Sequence, residues 1–268
     1  FDPAVLATLA SPTGAGREVF VLDNHIKTPY SDQFSLGMRN ALGANWNSDV
    51  TLSYVESHDG FMFQLGNRRD DGTFFPPGST WDPKPWGQGF PGFGNLILGT
   101  NGLETRATSL YLKLEKPYTS ESRWGATFAY TYTDAKENRQ GGEVFALDYE
   151  FIDQYGWKKA AIPESRLVAT GIYDGPRDIT FSGRATFATQ SPRYYVNCLD
   201  APDFNNCRFD QYKPDGTLGF KQVDLAMQKN IDTGSGFVMW VRGDLFNVFN
   251  WNNFDGYNDF PGNLGVPN

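Results

Sequence analysis

The chain has no long apolar run: nowhere in its 268 residues do apolar side chains continue for about the 20 residues that a membrane-spanning helix needs. A spanning helix is therefore excluded. Cysteine is scarce, with only Cys198 and Cys207. Set close together in a stretch rich in Asp, Asn and Pro, they fit a loop disulfide in an oxidising compartment better than a metal site, which takes four ligands. His25 and His58 are the only histidines. Neither has a nearby cysteine or an H-x-x-x-H partner, and both are expected as solvated groups at strand-to-loop transitions. Basic charge is also short: 23 Lys and Arg stand against 31 Asp and Glu, for a formal net charge of −8. That leaves no basic face for the phosphates of a nucleic acid. The chain opens at Phe1 with neither Met nor a signal peptide, as expected of a stretch from inside a longer protein.

What is plentiful is aromatic side chain, at 16% of residues, with 29 glycines and 16 prolines. The mean hydropathy of −0.47 suits a soluble protein, but it suits a transmembrane barrel equally, because only alternate strand residues of a barrel face lipid. Periodicity separates the two. In Trp124 to Tyr132 the even positions are Trp, Ala, Phe, Tyr and Tyr, and the odd ones Gly, Thr, Ala and Thr. In Thr108 to Glu115, Leu110, Leu112 and Leu114 alternate with Ser109, Tyr111, Lys113 and Glu115. The same two-faced pattern occurs at Phe34 to Arg39, Asp49 to Tyr54, Ile179 to Phe187 and Val223 to Gln228, and less cleanly at Arg166 to Tyr173 and Phe237 to Phe249. Period-2 alternation of this kind marks strands, so about eight meandering antiparallel strands are expected.

The connections alternate as well. Gly43 to Asn47, Pro117 to Arg123, Asp174 to Asp178 and Asp232 to Ser235 are turn-type linkers of Gly, Pro, Asn, Asp and Ser. Between them lie long ones, roughly His58 to Thr105, Ala135 to Ser165 and Ser191 to Gly219. Short turns at one end and long loops at the other are the habit of outer-membrane barrels, with the turns periplasmic and the loops extracellular. Asp32 to Leu42, Arg123 to Thr133 and Phe237 to Asn247 are long enough to cross a bilayer as tilted strands. Trp46 and Trp124 fall at short-turn ends, and Tyr54, Tyr130 and Tyr132 at the opposite ends, where aromatic girdles would lie. The competing reading is a soluble antiparallel protein whose apolar face packs on a second sheet.

Candidate chemistry is sparse. Gly87 to Gly92 satisfies G-x-G-x-x-G, but no strand and helix flank it and Pro91 interrupts it. Phe74, Phe75, Trp81, Trp86, Phe90 and Phe93 cluster among Pro and Gly in the first long loop. They are the best local candidates for ligand contact, with mutual packing as the alternative. Asp200, Asp203, Asp210, Asp255 and Asp259 lack EF-hand spacing, so no metal is expected. No Ser/His/Asp elbow, paired-carboxylate framework or phosphate loop stands out, and neither an enzyme nor a cofactor is expected.

Three segments resemble the barrel of TonB-dependent receptors, especially the Oar-like group with a carboxypeptidase-regulatory-like N-terminal domain. Lys27-Thr-Pro-Tyr-Ser-Asp-Gln-Phe-Ser-Leu-Gly37 is similar to that group's K-T-P-Y-x-x-Q-x-x-x-G lead into a strand, and Val223-Asp-Leu-Ala-Met-Gln-Lys-Asn230 to its penultimate hairpin. Val241-Arg-Gly-Asp-Leu-Phe-Asn-Val-Phe-Asn-Trp-Asn-Asn-Phe254 is similar to its D-x-F-N-[LV]-F-N-x-x-N segment. The resemblance implies part of a barrel of about twenty-two strands around a plug, in the outer membrane of a Gram-negative bacterium. Its expected partners are membrane lipid, an unidentified extracellular substrate, and the TonB complex reached through an N-terminal region. On that reading residues 1 to 268 are a partial barrel domain without the plug or the final strand or strands, and they form an open curved sheet. Its function would be nutrient import. A passive porin-like or adhesin-like barrel and a soluble β-rich binding module are the alternatives. Asn247 and Asn250 are expected to end a strand rather than bind a ligand.

Overall fold

The computed structural model describes residues 17–65, 93–138, 145–146, 157–197, 208–234, 236–258 and 264–267. Eight strands in sequence order form one antiparallel meander: β2 (Tyr30–Leu42), β3 (Trp46–Leu65), β4 (Phe93–Lys116), β5 (Trp124–Glu137), β8 (Ser165–Asp174), β9 (Ile179–Thr189), β12 (Leu218–Asp232) and β13 (Val238–Leu245). Short elements sit among them. They are β1 (Arg17–Leu22), parallel to the start of β4; β6 (Phe145–Ala146) on β3; β7 (Lys158–Lys159) on β5; and a separate hairpin of β10 (Arg193–Asn197) and β11 (Arg208–Tyr212). Among the described residues no helix is long and apolar enough to cross a membrane.

The ladder places like residues opposite like. Met38, Val50, Leu112, Tyr130, Leu167 and Phe187 are successive partners across six strands. One position along, Arg39, Asp49, Lys113, Ala129, Val168, Thr186 and Gln222 make a mostly polar row. Because a one-residue slip would exchange the faces, this register is what turns alternation in sequence into two chemically different surfaces. Among the described residues no second layer covers the apolar one: Leu36 is 80% and Phe34 67% exposed. A soluble sandwich would bury that face, so the competing reading does not describe this fold.

The four short turns, at 43–45, 117–123, 175–178 and 233–237, share one end of the sheet. The long connections were expected to be loop throughout, and here the structure corrects the sequence. β3 and β4 stay paired far beyond the apolar band, out to Leu65 opposite Ile97, with register shifts around Gly60. His58 accordingly lies within β3, opposite Tyr30, not at a strand end. The connection from β9 to β12 contains the β10–β11 hairpin. Strand propensity cannot reveal such pairing when the partners lie tens of residues apart.

β13 also ends earlier than alternation suggests, at Leu245, for a local reason. Asn247 and Asn250 adopt left-handed conformations with φ of 47° and 50°, which Asn tolerates better than most residues. The Asn247 amide donates to the Trp251 carbonyl (2.9 Å), its side-chain oxygen accepts from the Trp251 N–H (3.1 Å), and its own N–H donates to Asp224 (2.9 Å). Asn253 then substitutes for a paired strand residue, because its side-chain oxygen accepts from the Lys221 N–H (2.8 Å) and its amide donates to the Lys221 carbonyl (3.0 Å). Asn247→Ala combines left-handed strain with the lost bonds and is expected to lower the unfolding free energy of the full chain by about 1–3 kcal/mol. Asn247→Gly, which relieves the strain, should cost less. Denaturant titration checks this, and equal losses would show that backbone conformation contributes nothing.

Candidate functional site

The polar face is lined by charges that neutralise one another locally. Arg39 lies 2.8 Å from Asp49, Lys113 2.6 Å from Glu115, and Arg242 2.7 Å from Asp244. Gln222 donates to both oxygens of Asp224 and Gln228 to Asn230. The chain-neighbour pairs are two residues apart, the spacing that returns to the same face of a strand. All are at least partly open to solvent, which suits a wet surface. The opposite face carries aromatics in two belts. At the short-turn end Trp46 and Trp124 meet edge to face at 6.0 Å, with the Lys116 ammonium 4.2 Å from the Trp124 ring. At the other end the Tyr54 hydroxyl reaches Glu56 (2.9 Å), Tyr130 reaches Ser165 (3.0 Å), and Trp251 stacks on Phe249 at 4.7 Å.

At the long-loop end, connections distant in sequence are joined into one body. The buried Tyr194 of β10 has its hydroxyl 2.5 Å from a Glu137 carboxylate oxygen and 3.0 Å from the Lys159 carbonyl. Gln211 of β11 donates to the same carbonyl at 2.5 Å. Lys159 pairs with Glu164 and approaches Asp134 at 3.4 Å, while Lys213 reaches Glu164 at 3.5 Å. From the other side, Arg193 donates to the Asp255 carbonyl at 2.9 Å and lies over the ring of the buried Tyr257, at 4.7 Å. Tyr257 is in turn 3.3 Å from the Gln190 amide. The roots of two long connections and the segment after β13 are thereby held together by polar contacts. None of these residues was legible as a group in the sequence, because each contact closes a gap of up to 67 residues.

Of the residues expected to contact ligand, Phe74, Phe75, Trp81, Trp86 and Phe90 lie outside the described residues. Phe93 opens β4, its backbone paired with that of Arg17. Cys198 and Cys207 also lie outside them, as do Gly87 to Gly92, Asp200, Asp203 and Asp259. His25 has a side chain 94% exposed and sits 3.5 Å from Asp23, and His58 stacks on Tyr30 at 5.0 Å. Among the described residues no group of three or more His, Cys, Asp or Glu is placed to hold a metal.

Fold and faces together define the wall of an outer-membrane-type β-barrel. No family model and no curated protein sequence matches the chain, but solved structures do. The outer membrane transporter YddB of Escherichia coli superposes with a TM-score of 0.58 at 13% identity, over 89% of this chain and 31% of that one. The pyoverdine receptor FpvA of Pseudomonas aeruginosa superposes with a TM-score of 0.52, again at 13% identity, over 90% of this chain and 29% of that one. At this identity the likeness establishes the fold. The chain spans under a third of the length of these structures.

The Lys159–Glu164 pair gives the rim a pH signature. The bond from Lys159 holds the Glu164 carboxyl below the usual carboxylate range, and the bond to Glu164 raises the Lys159 ammonium. Glu164 stabilises the rim fully above its unfolded value of about 4.3 and ceases to as pH falls through its lowered value. Lys159 contributes below about 10.4, and its part is lost as pH rises through its raised value. Amide protection relative to the intrinsic rate at each pH, at residues 158–162, 164 and 211–212, is expected to stay high around neutrality and to fall in acid, and Glu164→Gln should remove the acid step. An unchanged step in the variant would contradict the assignment.

Proposed function

We propose that residues 1 to 268 are a partial barrel domain of a TonB-dependent receptor in a Gram-negative outer membrane. It would import a nutrient captured at the long loops. The observation that carries this reading is the single-layer sheet in register, with an apolar aromatic face and a wet polar face, and with short turns gathered at one end. Such a sheet has use for its apolar face only in lipid. Support for the receptor class comes from the likeness to the transporter and the pyoverdine receptor, and support for the Oar-like group from the segment Val241 to Phe254, whose asparagines make the corner after β13. The long loops would present Phe74, Phe75, Trp81, Trp86, Phe90 and Phe93 to the substrate, and energy passed through TonB would move a plug to release it. This is ligand-coupled rearrangement, not catalysis.

The test uses the full-length protein reconstituted in vesicles. A gated receptor is expected to leave vesicles osmotically tight to small sugars, whereas swelling in isotonic sugar would establish a passive porin and overturn the reading. Leu112→Arg or Phe128→Arg, on the apolar face, should cost about 2–4 kcal/mol of folding stability in bilayers. Thr127→Arg on the polar face should stay within about 0.5 kcal/mol. Equal costs would contradict the face assignment.

A disulfide between Cys198 and Cys207 is part of this proposal. The β10–β11 ladder has Asn197 opposite Arg208, and the two cysteines are the next residue on each side in sequence. Peptide mapping without reductant, after cleavage at Asp200 and Asp203 between the two cysteines, is expected to recover the two cysteine peptides joined, and free thiols at both positions would refute the bridge.

A further inference from the structure

We propose that the apolar face carries a binding groove for one acyl chain of an anionic glycerophospholipid, at its short-turn end. This rests on the reading of that face as lipid-facing. Three cross-strand partners form the floor, Ala126, Gly171 and Gly183. They are the smallest side chains available, and they fall side by side on adjacent strands. Around them stand Trp124, Tyr173 and Phe181, themselves consecutive partners one row nearer the turns, and Leu225 beyond Gly183. The result is a shallow depression of ≈ 610 Å³, wide open to its surroundings, with the Leu225 side chain leaning over Gly183 at one edge, 3.1 Å from where a Cβ would stand. Above Gly171 it is empty: a Cβ built there has only the Gly125 carbonyl within 4 Å, at 3.9 Å. A flat wall of leucines would have no such trough, and a methylene chain fills one without any polar partner.

The charges at the groove's lower edge select the occupant. Lys116, buried at 5% exposure, and Lys229, 39% exposed along its side chain, stand in apolar-face positions on β4 and β12, on either side of the groove. Each bends toward the turns. The Lys116 ammonium donates to Ser122 (2.7 Å) and to the Trp124 carbonyl (2.8 Å), and that of Lys229 donates to the Arg177 carbonyl. Long cationic side chains bend in this way when their stems lie in hydrocarbon and their heads at the level of the headgroups. Arg123 and the exposed Arg177 add cations in the two turns between them, against Glu121 and Asp178, the latter 3.9 Å from Lys229. Asp174 is turned to Tyr118 and Thr180 instead. With Asp174 and the exposed Asp232 counted, the edge is neutral in a chain of net charge −8, and Lys229 and Arg177 are its solvent-open cations that a phosphate could reach. A second copy of the chain docked by symmetry on the same patch would bring these cations against their own images, which disfavours a self-interface.

The experiment is native mass spectrometry of the full-length protein, detergent-extracted and supplied with phosphatidylglycerol or phosphatidylcholine. Gly171→Leu fills the trough in open space and at an extended backbone position, so insertion and folding are expected to match wild type, as checked by heat-modifiable migration on gels. Wild type is expected to retain one phosphatidylglycerol. Gly171→Leu excludes two or three methylenes, so its retention should weaken roughly tenfold or more. The double variant Lys229→Gln with Arg177→Gln leaves the trough intact and should lose the preference for phosphatidylglycerol over phosphatidylcholine. Undiminished retention in Gly171→Leu overturns the groove, and so does crosslinking of wild-type dimers that this variant abolishes. A preference unchanged in the double variant overturns the headgroup assignment. A wild-type protein that does not enter bilayers at all would instead bring down the membrane reading on which this one rests.

Discussion

Everything in this structure depends on lateral backbone hydrogen bonding. Peptide groups pair with the strand on either side, and among the described residues no second sheet or helix layer packs on the meander, so both faces answer to their surroundings. A soluble protein gains most of its stability by covering an apolar face with another layer. Here Leu36, Leu52, Leu112 and their neighbours keep that face open, and the ladder alone aligns them. In hydrocarbon, where an unpaired peptide group costs several kcal/mol, such a ladder is what permits a chain this polar on average to cross.

The register explains how much could be read from sequence. Alternation over eight or nine residues, as in Trp124 to Tyr132, reports local geometry that every strand must obey, and all eight long strands were visible on that ground. The short turns were visible too, because Gly43 and the residues around Asp232 carry the conformations that reversals demand. What failed was everything set by distant partners. The upper reaches of β3 and β4 are strands because they face each other across a bulge at Gly60, not because their residues alternate. Tyr194, Glu137, Lys159 and Tyr257 meet only once the meander has brought their connections to one rim. The Asn-rich corner is the intermediate case: its motif is legible in the sequence, while the means by which Asn247 and Asn253 replace a lost strand partner lies in contacts to Asp224 and Lys221, more than 20 residues away.

The rim and the wall are built on different terms. In the wall, identity matters only as apolar or polar, large or small, and the trough over Gly171 comes from size alone. At the rim, single atoms matter: the Lys159 carbonyl serves two side chains of the β10–β11 hairpin, and Glu164 answers two lysines. A surface held in this way can carry loops of varied content while the roots keep their spacing, a sound arrangement for presenting contacts to an external molecule.

The aromatic belts also measure something. From Trp124 to Tyr132 the strand rises by about 26 Å at about 3.3 Å per residue, and a tilt of about 40° reduces that to about 20 Å along the membrane normal. The hydrocarbon between the belts is thus well below the thickness of an average bilayer. Hydrophobic mismatch would oblige a thick, sterol-rich membrane to thin around this wall, whereas a bacterial outer membrane, thinner than average, comes closer to it. The spacing of a tryptophan and a tyrosine on one strand thereby sets the membrane thickness that this wall fits best.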